Sequence, residues 1–229
     1  MNLLEFVDHT CLRPDASLKD ITQLCQEAVS LGCASVCVPP TYVSSAHEML
    51  RDKEPVVSTV IGFPFGYDTI PTKIMGIEQA IVACAKEIDL VLNVTYLVDE
   101  KWDLVRAELN DYTRACLSAK LKIIIEVGLV SRAQLAKACE LCEEYRVDFI
   151  KTSTGYGPRP TEVEDITFIR MCAPNTSIKA AGGINDKDHA QSLFEAGASR
   201  LGMSKTVEVF KEDPVQLFKN GKPVDEAQA

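Results

Sequence analysis

Eight short apolar runs, amphipathic stretches between them and a length of 229 residues predict an α/β fold, a single-domain (β/α)8 TIM barrel. The runs are "FVDHT" (6–10), "ASVCVP" (34–39), "VVSTVIG" (56–62), "EIDLVLNV" (87–94), "LKIIIEVG" (121–128), "VDFIKTS" (147–153), "TSIKAAGG" (176–183) and "SRLGMS" (199–204). Their length, β-branched content and flanking Gly or Pro favour buried strands. Strands alternating with helices imply parallel βαβ units, and eight of them imply closure. An open doubly wound sheet is the runner-up, but no Gly-x-Gly-x-x-Gly turn follows the first strand to favour it.

The helices between the runs carry their own signals. Leu18, Ile21, Leu24, Cys25, Ala28 and Val29 keep one face, and Gly32 stands where a C-cap belongs. Pro71 suits the first turn of a helix carrying Ile74, Ile77 and Ile81. Trp102, Val105, Leu109, Tyr112 and Cys116 form another stripe. Thr161 and Glu164 have the spacing of a capping box before Ile166 and Ile169. Asp186 is placed to cap a stretch that runs through Leu193 and stops at Gly197. One domain over 1–229 is expected, with a short polar tail from about residue 219.

Composition narrows the function classes. Apolar residues make up 46%, enough for a large core, and the net charge is −9. No basic stripe suggests nucleic acid as a partner. No run approaches the roughly 20 apolar residues of a membrane span, and the N-terminus lacks the pattern of a signal peptide. The nine scattered cysteines read as reduced core residues, so a cytoplasmic location is expected. Cys139 and Cys142 form a CxxC inside a helix-like run with no second pair, which suits neither a redox elbow nor a zinc site. His47 and His189 read as surface or packing residues of helical runs, and His9 as structural.

In such a barrel the site lies at the C-terminal ends of the strands. That rule selects Asp8, Thr10, Cys37, Asp89, Asn93, Glu126, Lys151, Lys179, Ser204 and Lys205. Lys151 and Lys179 end the sixth and seventh strands. A lysine beside another cation, partly desolvated, supplies the neutral amine that Schiff-base chemistry needs. Asp89 is placed to hold one ammonium or to move protons. The plainer reading pairs the lysines with Asp89 and Glu126 as supports of the barrel. Glycines cluster at the same ends: Gly155 after Lys151, Gly182 and Gly183 after Lys179, and Gly202 before Ser204. Such turns let backbone N–H groups approach an anion, so a phosphorylated substrate is favoured.

"VDHTCLRPDA", "VCVPPTYV", "TVIGFPFG", "EIDLVLNV", "IIEVGL", "FIKTSTGYG" and "IKAAGGI", in this order, resemble deoxyribose-phosphate aldolases over about residues 5–205. The resemblance implies a cofactor-free, metal-independent class I aldolase. It would cleave 2-deoxy-D-ribose 5-phosphate reversibly to D-glyceraldehyde 3-phosphate and acetaldehyde. By position, Lys151 resembles the family's Schiff-base lysine, Lys179 the second lysine that lowers its pKa, and Asp89 the proton-transfer aspartate. Asp8 and Thr10 match polar residues near the substrate, and the glycines and Ser204 match the phosphate site. A homodimer is the assembly the resemblance suggests.

The chain departs from the family pattern at several positions. Ala181 stands where serine is usual, Lys205 at a usual serine, Pro39 where asparagine is common, Arg13 where lysine is frequent, and Thr95 near a usual glycine. Lys205 adds a charge beside the expected phosphate site. Two alternatives stay open: another Schiff-base aldolase or transaldolase-like enzyme acting on a different sugar phosphate, and a non-catalytic sugar-phosphate binding protein.

Overall fold

The computed structural model describes residues 2–211, together with the backbone of 218–219 and 222–223. Eight parallel strands close into one barrel in sequence order. They are β1 (Val7–Thr10), β2 (Ser35–Val38), β3 (Val56–Ile61), β4 (Glu87–Val91), β5 (Lys120–Ile124), β6 (Phe149–Lys151), β7 (Ser177–Ala181) and β8 (Arg200–Met203). β8 pairs with β1, with Asp8 facing Gly202 across the seam. The doubly wound alternative is thereby excluded. Around the barrel run α1 (Leu18–Leu31), α2 (Val43–Met49), α3 (Ile70–Val82), α4 (Val94–Val98), α5 (Trp102–Ala115), α6 (Arg132–Glu144), α7 (Val163–Cys172), α8 (Lys187–Glu195) and α9 (Thr206–Phe210). The polar tail expected from about residue 219 lies outside the described residues, apart from a short antiparallel backbone pairing of Phe218–Lys219 with Lys222–Pro223.

Side chains alternate along a strand, and the two faces here have different chemistry. Val7, Val36, Val38, Val57, Ile61, Ile88, Leu90, Leu121, Ile123, Ile150, Ile178 and Leu201 belong to the apolar core. The helices add Ile21, Leu24, Ile77, Leu109, Leu135 and Ile166 to it. The main core is therefore the layer between strands and helices. The alternate strand positions include Asp8, Ser58, Glu87, Asp89, Lys122, Lys151 and Lys179, all buried. Burying that many polar groups is tolerated only if they satisfy one another.

Caps fix where helices begin. Ser17 and Asp20 form a capping box on α1, and Gly32 ends it with φ +70°, as its C-cap position predicts. Asp186 accepts from His189 N at 2.7 Å. The cap of α7 differs from expectation. The Glu162 backbone N–H donates to Asp165 at 3.0 Å, one residue later than the Thr161–Glu164 spacing suggests. Thr161 is buried instead, and its hydroxyl donates to the Ala181 carbonyl at 2.6 Å. A threonine that reaches a strand-end carbonyl is not free to cap. Among the described residues no helix is long and apolar enough to cross a membrane.

Candidate active site

The register of the barrel builds the site. Lys151 of β6 faces Lys179 of β7, and Asp89 of β4 faces Lys122 of β5. Asp89 Oδ2 lies 2.7 Å from Lys151 Nζ and 2.7 Å from Lys179 Nζ. Its other oxygen turns away, 2.9 Å from Lys122 Nζ and 3.4 Å from Ser58 Oγ. Asp8 pairs with Lys179 and, at 2.6 Å, with Arg200. Glu87 lies 2.7 Å from Lys122 and 3.0 Å from Arg200. Among the described residues this cluster holds four cations, Lys122, Lys151, Lys179 and Arg200, against three carboxylates, Asp8, Glu87 and Asp89.

The excess of one positive charge has an outlet. Burial pushes the Lys151 amine down, Asp89 pushes it back, and Lys179 pushes it down again, so its pKa lies below the ordinary lysine value. Burial also opposes the charge on Lys179, but Asp8 and Asp89 together outweigh it and raise its pKa. Lys122 is raised in the same way by Asp89, Asp8 and Glu87. Burial alone would raise Asp8, yet Lys179, Lys122 and Arg200 hold it well below the usual carboxylate range. Asp89 is held low against burial by Lys122, Lys151 and Lys179. Of the cluster's four cations, the one that gives up its proton first is therefore Lys151.

Lys151 is also the member of the cluster that lines an open cavity of about 250 Å³. The same cavity is lined by Thr10, Gly155, Gly182, Gly183, Gly202 and Ser204. Gly182 and Gly183 have φ of +98° and +75°, where an L side chain is strained. A Cβ on Gly183 would also strike Pro160. Thr161 pins this turn: it donates to Ala181 O, and its backbone N–H donates to Gly182 O at 3.0 Å.

The expected site residues divide into two groups. Lys151, Thr10, Gly155, Gly182, Gly183, Gly202 and Ser204 meet at the cavity. Asp89, Lys179 and Asp8 lie beneath it, fully buried and joined to Lys151 through Asp89. Lys205 is exposed beside Ser204 and is not among the residues lining the cavity. Glu126 pairs with neither lysine; its Oε2 accepts from Thr154 N at 3.0 Å and Thr154 Oγ1 at 2.5 Å. Asn93 caps α4 through its side chain. Cys37 is buried, with its thiol pushed up by burial and by Asp89. His9 is structural, 2.9 Å from Thr206 and 2.9 Å from Glu27.

Three members of the cluster escaped the reading by strand ends: Glu87, Lys122 and Arg200. Glu87 and Arg200 begin their strands, and Lys122 lies mid-strand level with Asp89; Asp89 and Lys179, expected at strand ends, are mid-strand as well. A signal existed, since Glu87 and Asp89 are two apart and so share a face. Tyr156 was also missed as a wall residue, and Phe63 as the ring behind it. Tyr156 lines the cavity. Its ring stands edge-on to Phe63, with centroids 5.6 Å apart, and Lys151 Nζ lies 6.0 Å from the Phe63 centroid.

A closed barrel that presents one lysine of lowered pKa to a glycine-rimmed cavity, with a second lysine and a shared carboxylate behind it, defines the class of lysine-dependent aldolases. Comparison with known proteins narrows the class. Residues 3–211 match the family described as DeoC/LacD family aldolase, and the chain belongs to that family. It is 40% identical over 216 residues to a deoxyribose-phosphate aldolase of Caldanaerobacter subterraneus subsp. tengcongensis, covering 93% of this chain and 94% of the relative. The enzyme of that name from Clostridioides difficile is 39% identical over 213 residues, covering 93% and 97%. Among solved structures, an aldolase named QR15 aligns with a TM-score of 0.88 at 36% identity, covering 93% and 96%. The deoxyribose phosphate aldolase of Aeropyrum pernix, described as a unique tetrameric structure, aligns at 0.82 with 25% identity, covering 91% and 89%.

Proposed function

We propose that this protein is a class I aldolase that forms a Schiff base at Lys151 and cleaves 2-deoxy-D-ribose 5-phosphate reversibly. The products are D-glyceraldehyde 3-phosphate and acetaldehyde. One observation carries the reading: the cluster's least basic amine, Lys151, opens into the cavity that the glycine turns surround.

The neutral Lys151 amine adds to the C1 aldehyde, and loss of water leaves an iminium ion. The C3 hydroxyl then gives up its proton, and the C2–C3 bonding pair moves toward the iminium to make an enamine. Glyceraldehyde 3-phosphate departs. The enamine takes a proton at C2, and water releases acetaldehyde and restores the amine. The iminium itself is the electron sink, so the scheme calls on no cofactor or metal. Asp89, 2.7 Å from both lysine amines, is the group suited to pass protons between them. The cluster also favours the chemistry by charge. With Lys151 neutral, its three remaining cations balance its three carboxylates.

The phosphate would occupy the end of the cavity bounded by Gly182, Gly183, Gly202 and Ser204, where backbone N–H groups suit an anion. Binding there supplies remote energy that positions the reacting carbons. Lys205, exposed beside Ser204, adds long-range attraction. The free, mostly buried cysteines suit a reducing compartment, and a cytoplasmic location forms part of the proposal. So does a homodimer. A light-scattering mass near twice 25.2 kDa is expected, and a fourfold mass would replace the dimer with a tetramer.

The central test is chemical. Incubation with 2-deoxyribose 5-phosphate and borohydride should leave a reduced adduct on the peptide carrying Lys151, and none in Lys151→Ala. An adduct on another lysine, or none in folded protein, would remove Lys151 from its role.

A further inference from the structure

Glu126 stands just past the end of β5 and carries two unusual features. Its φ is +60°, a left-handed conformation that is uncommon for a non-glycine residue. Its side chain is buried, and one carboxylate oxygen, Oε1, has no hydrogen-bond partner. Backbone strain and an unsatisfied buried acceptor both cost free energy, and such costs persist where a position is needed. A glycine would relieve the first and remove the second.

The other oxygen has a definite task. Oε2 accepts both the backbone N–H and the hydroxyl of Thr154. Thr154 Oγ1 in turn accepts from Tyr156 N at 3.1 Å. The Tyr156 hydroxyl donates to Leu12 O at 3.3 Å, across the cavity mouth on the β1–α1 loop. Thr154, Gly155, Tyr156 and Leu12 all line the cavity that holds Lys151. One carboxylate thus anchors a continuous wall. Gly157 packs against the same side chain so closely that a Cβ there would lie 2.5 Å from Oε1. The wall meets the glycine turn after β7 directly: a Cβ on Gly182 would lie 3.5 Å from Gly155 Cα.

We infer that Glu126 is a positioning residue that holds the Thr154–Tyr156 wall against the Gly182 turn and so sets the width of the phosphate end of the cavity. It touches none of the reacting atoms and leaves the Lys151–Asp89–Lys179 contacts intact. This rests on the proposed reaction. Loss of Glu126 therefore weakens recognition of the phosphorylated end and spares the chemistry at C1.

The test compares 2-deoxy-D-ribose 5-phosphate with 2-deoxy-D-ribose, using Glu126→Gly and Glu126→Gln in the full chain. Glycine suits the backbone conformation, so Glu126→Gly should keep its melting temperature. It should raise KM for the phosphorylated substrate about tenfold with kcat nearly unchanged. Its kcat/KM for the unphosphorylated sugar should move less than about threefold. Glu126→Gln keeps an acceptor for Thr154 and should restore most of the lost affinity. Equal losses on both sugars, or a Glu126→Gly enzyme matching the parent on both, would overturn the inference and leave the reaction standing. A parent protein inert toward the phosphorylated sugar would overturn the reaction and the inference with it.

Discussion

At the residue scale the site separates two lysines that the sequence presents alike. Both are buried on adjacent strands, Lys151 at the end of β6 and Lys179 in the middle of β7, yet their partners differ. Lys179 has Asp8 and Asp89; Lys151 has Asp89 and faces the cavity. That difference puts one pKa above and the other below the ordinary value. Replacing Lys179 with methionine removes a cation that disfavours the proton on Lys151. The Lys151 pKa should then rise, because Asp89 is left to it and Lys122. The midpoint of the kcat/KM profile should move to higher pH. Activity at neutral pH should fall about tenfold for each unit of that movement. A profile that keeps its midpoint would show that Lys179 does not set the basicity of Lys151. The candidates Lys151, Lys179 and Asp89 were legible because charged groups within core strands have few structural uses. Lys122 was not, because "LKIIIEVG" reads as an apolar run with a lysine near its edge. Only the closed register turns that lysine toward Asp89.

At the element scale all eight strands were legible, each inside or overlapping its apolar run, although several runs extend two to four residues past the strand. "EIDLVLNV" is the informative case. The strand ends at Val91, and Asn93 caps α4, which the run conceals by continuing apolar residues into it. The end of β4 is held from outside the barrel. Lys73 of α3 donates to Val91 O at 2.8 Å and pairs with Glu108 of α5 at 3.0 Å. Glu108 accepts from Asn93 N at 3.0 Å and from Tyr112 at 2.7 Å. Neither Lys73 nor Glu108 stands out in the sequence, because each partner lies in a different element. The misplaced cap of α7 has the same origin: Thr161 is drawn to β7, a contact twenty residues away in sequence.

At the scale of the whole molecule, the barrel lumen is an electrostatic assembly wrapped by an apolar shell. Its pH dependence follows from signs alone. Asp8 and Asp89 have folded pKa values below their unfolded ones of about 4. In that window the unfolded chain binds more protons, so stability falls as pH falls. Their contribution is complete above about pH 5 and is lost progressively below pH 4. Lys122 and Lys179 have raised values, so their contribution is complete below about pH 10 and is lost as pH rises through the folded values. Lys151 has a lowered value and acts in the opposite sense, so stability rises with pH between that value and the ordinary lysine one. Thermal melts should give a steep acid edge. An acid edge no steeper than isolated surface carboxylates give would mean that the cluster adds little to the fold.

The same wiring bears on how the chain is made. Asp8 is synthesised before its partners Lys179 and Arg200, the latter 192 positions on. β1 likewise finds its second neighbour only in β8. A ribosome releasing the chain from its N-terminus therefore exposes Asp89, Lys122 and Lys151 before the lumen can be neutralised by both ends. Truncation anywhere before Arg200 leaves Asp8 without that counterion and β1 with an open edge. An incomplete copy therefore differs from the finished barrel in charge as well as in shape.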